Sequence, residues 1–140
     1  MGPTPSPPKV VDLFSGAGGM ALGFHAAGFE IAGAVDFDAD AAETFRRNFR
    51  LLQPANPPVV LGGPDEGDIQ QIDTVALGRR VQPDVVVGGP PCQAYSKIGR
   101  AKLNSLSPGG FREDPRNLLY RHFVEAVQSW QPPAFVMENV

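Results

Sequence analysis

The chain has 140 residues, 42% of them hydrophobic, which is one domain's worth of sequence with enough apolar side chains for a packed core. One cysteine excludes an intrachain disulfide and a multi-cysteine metal cluster, and His25 and His122 stand too far apart for metal-ligand spacing, so no metal is expected. The formal net charge is −3, no apolar run is long enough to span a bilayer and no signal-peptide pattern opens the chain, so a soluble cytoplasmic protein without a membrane partner is expected.

Residues 1–8 read as an extended, disordered proline-rich leader, and residues 9–140 as the folded domain. Lys9 to Phe14 is the first predicted strand. The glycines that follow turn the chain into a helix over Met20–Ala27, ended by a left-handed cap at Gly28. Glu30–Val35 is the second strand, with Asp36 at its carboxyl tip. An acid about 20 positions after a strand, glycine loop and helix is where nucleotide-binding units hold ribose hydroxyls. Gly16, Gly18 and Ala21 also satisfy the glycine pattern of dinucleotide binders, so a nicotinamide-dependent oxidoreductase is the rival reading.

Asp40 and Glu43 have capping-box spacing, which predicts a helix over Ala41–Phe49 with Phe45 and Phe49 toward the sheet and Arg46, Arg47 and Arg50 solvated. A loop from Gln53 to Pro58 leads to a short strand at Val59–Leu61. Gly62 to Gly67 is a turn-rich connection, and a helix follows over Gln70–Val81, for which Asp68 could serve as the cap.

Val85, Val86 and Val87 form a β-branched run that reads as a buried strand, broken by Gly88, Gly89, Pro90 and Pro91. The prolines stiffen a turn with Cys92 at its tip, on the side of an α/β sheet where ligands bind. A free cysteine is commonly a small buried hydrophobe, but glycine, proline, Gln93 and Ser96 suit a packed core badly. Residues 93–112 carry Lys97, Arg100, Lys102 and Arg112 without an acid, giving +4 there and −7 elsewhere. Such a loop can meet phosphates, and its serines and glycines predict mobility. Asp114-Pro115 opens a predicted helix to Trp130 with Leu118, Leu119, Phe123, Val127 and Trp130 as its buried stripe. Ala134–Met137 is a last strand, ending at Glu138. The alternation of strands and helices predicts an α/β fold with a doubly wound, mainly parallel sheet, and Cys92 and Glu138 are expected on neighbouring strand tips.

Three ordered motifs carry a family resemblance: Val11 to Gly19 (VDLFSGAGG), Gly89 to Ser96 (GPPCQAYS) and Met137 to Val140 (MENV). Together they resemble the cofactor loop, cysteine loop and glutamate motif of cytosine-5 DNA methyltransferases. The resemblance implies a Rossmann-like domain that binds S-adenosylmethionine. Phe14, Gly16 and Gly18 would line the methionine side, with Asp36 on the ribose and Phe37 on adenine. Asp68 and Ile69 would meet the adenine amino edge, and Pro90 counts with them. It further implies that Cys92 and Glu138 are catalytic on a flipped cytosine of double-stranded DNA, with Gln93, Ser96, Lys97, Arg100 and Lys102 in the DNA loop, consistent with a cytoplasmic or nucleoid-associated enzyme of a restriction-modification system.

Without the motifs, Phe14 and Phe37 read equally well as core aromatics. Tyr95, where the family commonly has phenylalanine, is a mild departure. The family continues past the glutamate motif with an arginine motif, a target-recognition domain and a closing helix, so a fragment, a truncated gene product or one half of a split enzyme completed by a C-terminal chain is expected, inactive or weakly active alone. The alternatives are a transfer RNA cytosine-5 methyltransferase and a non-catalytic cofactor-binding subunit.

Overall fold

The computed structural model describes residues 5–91 and 118–138. Its elements are β1 (Lys9–Leu13), α1 (Gly19–Ala26), β2 (Glu30–Asp36), α2 (Ala39–Leu52), β3 (Val59–Gly62), α3 (Gly63–Glu66), α4 (Thr74–Val81), β4 (Val85–Gly88), α5 (Leu119–Trp130) and β5 (Ala134–Met137). The strands pair in the order β3-β2-β1-β4-β5, all parallel. This is the doubly wound α/β sheet that the alternation predicts, and its order reverses direction between β1 and β4.

Side chains alternate across the strands and so build two cores. Val11, Leu13, Val35 and Val86 pack with Leu77 and Val81 of α4 and Phe123 and Ala126 of α5. Val10, Ile31, Ala34 and Val87 pack on the other face with Ala21 of α1 and Phe45 and Phe49 of α2, whose rings stack at 4.4 Å. The central strands are nearly continuous apolar runs because helices cover both of their faces. β5 differs: all four of its residues are exposed, Phe135 by 57%.

Several boundaries depart from expectation, each for a local reason. β1 ends at Leu13 because Phe14 adopts a positive φ of 60°. α2 begins at Ala39, since Asp38, not Asp40, is the cap: its Oδ1 accepts the Ala41 N–H at 2.9 Å. Glu43 pairs with Arg46 and Arg47 instead of reaching back to the helix start. Arg46 is part-buried, not solvated, and donates to the Val60 carbonyl at 3.3 Å. The connection after β3 contains a helical turn, α3, with Pro64 in its first turn.

The predicted helix over Gln70–Val81 starts only at Thr74, capped by Asp73, whose Oδ1 accepts the Ala76 N–H at 2.8 Å. Asp68 therefore does not cap it. Its Oδ1 accepts the Gln70 N–H at 3.0 Å and its carbonyl accepts the Gln71 N–H at 2.8 Å, closing a separate turn. Leu118, placed in the buried stripe of the last helix, is 45% exposed. The Asp114-Pro115 start of that helix lies outside the described residues, as does the first half of the leader, residues 1–4. Among the described residues, no helix is long and apolar enough to cross a membrane and no group of three His, Cys, Asp or Glu could hold a metal ion.

Candidate active site

A pocket of about 410 Å³ opens at the carboxyl ends of the strands, beside the switch between β1 and β4. Such reversals leave a crevice because the flanking helices diverge to opposite faces. Phe14, Asp36, Phe37, Asp68 and Ile69, far apart in sequence, are brought together in its wall. Phe37 is 61% exposed, so its ring belongs to no core. Phe14 is half-buried, packing against the α4–α5 core with its other side in the pocket.

Asp36 organises the rim. Its Oδ2 accepts the Gly16 N–H at 2.7 Å and its Oδ1 the Asp38 N–H at 2.8 Å. One carboxylate thus ties the glycine loop to the start of α2, and its remaining lone pairs are free to accept hydroxyl hydrogens. Gly67 supports it from behind: a Cβ there would stand 2.1 Å from the Asp36 carbonyl oxygen. Any side chain at Gly67 would push apart two walls of the pocket.

Gly16, Gly18 and Pro90 do not line this pocket. Gly16 reaches it through Asp36, and Pro90 is buried. Gly18 faces α2, where a Cβ would meet the Phe45 ring at 2.7 Å, and it lines a separate groove with Leu22 and Phe49. The wall also takes in Val35, Gly67, Gln70, Gly89, Pro91 and Leu119, which the sequence reading did not assign to a site. Gly89 and Pro91 flank Pro90 in the same motif and were the signal for two of them. Leu119 had none, because it arrives from a helix 30 residues later.

Parallel pairing of β4 with β5 sets Gly88 opposite Met137 and lets the Glu138 N–H donate to the Gly88 carbonyl at 2.9 Å. Glu138 Oε2 lies 2.9 Å from the position a Cβ on Gly89 would take. The carboxylate is thereby laid against the root of the cysteine loop. Cys92, Gln93, Ser96, Lys97, Arg100 and Lys102 lie outside the described residues, as do Asn139 and Val140.

Asp12 is a further titratable group that the sequence reading passed over, although a lone acid inside the apolar strand KVVDLF was a visible signal. It is 1% exposed, and its Oδ2 has no hydrogen-bond partner among the described residues. Burial pushes its pKa from the ordinary 3.8 up to about 7; a backbone N–H from Ala21 opposes the rise and the charge of Asp36 adds to it.

Known proteins match this chain over nearly its whole length. The family model for C-5 cytosine-specific DNA methylases matches residues 8–140. The type II methyltransferase M.AquIA of Picosynechococcus is 41% identical over 137 residues, covering 94% of this chain and 48% of that protein. M1.HphI of Haemophilus parahaemolyticus is 41% identical over 93% of this chain and 32% of its own length. M.HgiGI of Herpetosiphon aurantiacus is 36% identical, with 94% of this chain and 90% of that one covered. A crystal structure of an E. coli prophage-encoded candidate DNA modification methyltransferase superposes with a TM-score of 0.69 at 31% identity, over 95% of this chain and 32% of that one. The chain spans only 28% to 48% of the length of four of the curated relatives it matches. The sheet order, the crevice at its switch point and this breadth of matching lead to one assignment: the chain belongs to the C-5 cytosine-specific DNA methylase family.

Proposed function

We propose that this chain is the cofactor-binding and catalytic portion of an enzyme that methylates carbon 5 of cytosine in double-stranded DNA, using S-adenosylmethionine. The observation that carries the reading is the pocket that joins Phe14, Asp36, Phe37, Asp68 and Ile69 at the carboxyl ends of the strands. Its volume suits a nucleoside. An exposed aromatic ring and Ile69 offer faces to adenine, and Asp36 and Asp68 offer acceptors to ribose hydroxyls and the adenine amine. A dinucleotide fits less well, because the Gly16 N–H that a pyrophosphate would use already donates to a carboxylate.

When bound, S-adenosylmethionine supplies an electrophilic methyl group on a sulfonium. Carbon 5 of cytosine is too weak a nucleophile to take it unaided. In this reading the Cys92 thiolate adds to carbon 6 of the flipped base and makes carbon 5 electron-rich. Glu138 holds ring nitrogen 3 and the exocyclic amine, stabilising the charge that develops and identifying the base. After methyl transfer the carbon 5 proton passes to solvent, its electron pair re-forms the carbon 5–carbon 6 double bond, the carbon–sulfur bond breaks and the thiolate leaves. The basic residues Lys97, Arg100 and Lys102 meet DNA phosphates, with Gln93 and Ser96 beside the base. Target recognition comes from sequence that the longer relatives possess, in the same polypeptide or in a second chain. The exposed Phe135, Val136 and Met137 on β5 are suited to pack against it.

Calorimetric titration with S-adenosylhomocysteine, with a reduced nicotinamide dinucleotide in parallel, tests the cofactor assignment. Saturable binding of the first alone is expected; binding of the nicotinamide alone would overturn it. Phe37→Ala should weaken S-adenosylhomocysteine binding roughly ten-fold, the scale of a lost aromatic stack, while the thermal midpoint stays put because the ring is mostly exposed. An unchanged dissociation constant would remove Phe37 from the site.

Gly89→Ala separates chemistry from stability. The new methyl group would displace only the tip of a flexible glutamate, so unfolding should be unaffected. Methyl transfer to DNA by an enzyme reconstituted with its target-recognition part should fall at least about ten-fold, the lower range for a mispositioned acid or base. Full activity would mean that Glu138 works from another position.

A further inference from the structure

We propose that Asp12 is a positioning residue of the cofactor pocket: its carboxyl group, set behind the glycine loop, is neutral in mildly acidic solution when the pocket is empty and ionised there when a cation occupies it. The protein would then favour a sulfonium donor over its neutral thioether product. The inference rests on the cofactor reading above and adds to it a means of telling substrate from product.

The geometry is that of a loop held at two points by acids from adjacent strands. Asp36, at the tip of β2, holds the Gly16 N–H at 2.7 Å. Asp12, in β1, faces the first turn of α1 through the Ala21 N–H. Phe14 and Asp36 line the pocket and Asp12 does not; by strand alternation Asp12 shares the Val10 side of β1, in register with Ala34 of β2 and Val87 of β4, against the core that contains them. Among the described residues, no cation compensates its charge. Its Oδ2 is fully buried without a partner among the described residues, so the ionised form is costly until a positive charge arrives.

Among the described residues, the surroundings contain few other titrating groups. β2 brings Asp36, whose charge opposes ionisation of Asp12. Glu30 and Lys9 begin β2 and β1, at the far ends of those strands, and β4 brings no titratable side chain. α1 has only His25, in its last turn, where Nδ1 meets Gln53 Oε1 at 3.2 Å. From α2, Phe45 and Phe49 enter this core, while Glu43, Arg46 and Arg47 pair with one another. Among the described residues of this core, Asp12 is therefore the group whose proton responds to a nearby charge. In a low-dielectric interior a sulfonium across the loop lowers the cost of ionising it, and the proton leaves to solvent. A thioether has no such effect. Reciprocally, an ionised Asp12 strengthens binding of the sulfonium.

The test is calorimetric titration of the 140-residue chain with S-adenosylmethionine and S-adenosylhomocysteine at pH 5.5 and 7.5, for the wild type and Asp12→Asn. The preference for the sulfonium should rise between the two pH values about five-fold more in the wild type than in Asp12→Asn, the lower range of coupling between sites. The variant carries the ligands' own titration and so serves as the baseline. At pH 6.5, in buffers of different ionisation enthalpy, proton release on binding the sulfonium should be larger in the wild type. Equal pH responses and equal proton release in both proteins would overturn the proposal while leaving the cofactor assignment intact. Failure of either ligand to bind either protein would overturn that assignment, and this inference with it.

Discussion

Gly78→Ala should destabilise the protein by about 2–4 kcal/mol, even though alanine is the better helix former by about 1 kcal/mol. Gly78 is buried in the middle of α4, and a Cβ there would stand 2.3 Å from both Cδ1 and Nε1 of Trp130. The indole cannot simply turn away, because Nε1 donates to the Thr74 carbonyl at 2.7 Å. Moving the ring costs about 1–3 kcal/mol of overpacking. Losing the hydrogen bond costs about another 1–3 kcal/mol when the donor stays buried. Packing therefore outweighs propensity. Trp130 is the only tryptophan in the chain, so its fluorescence in urea reports both the local environment and global unfolding. A midpoint at or above that of the wild type would mean that α4 and α5 do not pack this closely. Shortening the ring in Gly78→Ala with Trp130→Leu, followed by circular dichroism, should reveal a favourable coupling of at least about 1 kcal/mol.

Asp12→Asn should stabilise the protein in alkaline solution and leave it unchanged in acid. The folded-state pKa is about 7 against an ordinary 3.8, so the folded chain keeps a proton that the unfolded chain releases. The unfolded state binds fewer protons across that interval, and wild-type stability must fall as pH rises from about 4 to about 7. The difference corresponds to at most about 4 kcal/mol, fully developed above pH 7 and absent below pH 4. Solvent screening barely reduces it, because the side chain is 1% exposed. Asparagine has nearly the same shape and no charge. The unfolding free energy of the variant minus that of the wild type, measured in urea at several pH values, should climb from near zero at pH 4 to a plateau above pH 7. A difference independent of pH would show that Asp12 is ionised throughout the range.

Both effects come from neighbours that stand far apart in sequence, and this divides what could be read from the chain alone from what could not. Strand, glycine loop and helix at the start, the valine run at 85–87 and the alternation between them suffice for a doubly wound parallel sheet. Hydrophobic period and turn residues act over a few positions, which is the range a sequence displays. Phe45 and Phe49 were legible as core for the same reason, being one helical turn apart on an amphipathic stretch. The motifs around Cys92 and Glu138 marked the family before any geometry was known, because their residues are contiguous.

Helix starts were less legible. Asp38, Asp40, Asp68 and Asp73 are all plausible caps by type, and the choice depends on which backbone amides each can reach after the chain has turned. Asp36 already holds the Asp38 N–H, which brings the start of α2 two residues forward. Gln53 shows the same limit. Its side-chain amide accepts from the Ile31 N–H at 2.8 Å and donates to the Ile31 carbonyl at 2.9 Å, substituting for a strand where β3 does not reach.

The sequence by itself determined the class of the fold and the family, since these follow from local periodicity and contiguous motifs. Only the tertiary structure decided that Asp36 is spent on the glycine loop as well as facing the pocket, that Gly18 serves α2, and that Gly78 exists for Trp130. It also decided that Asp12 is buried with one oxygen unpaired. Each depends on a close approach between residues 20 to 52 positions apart, and such distances are set by packing the whole sheet.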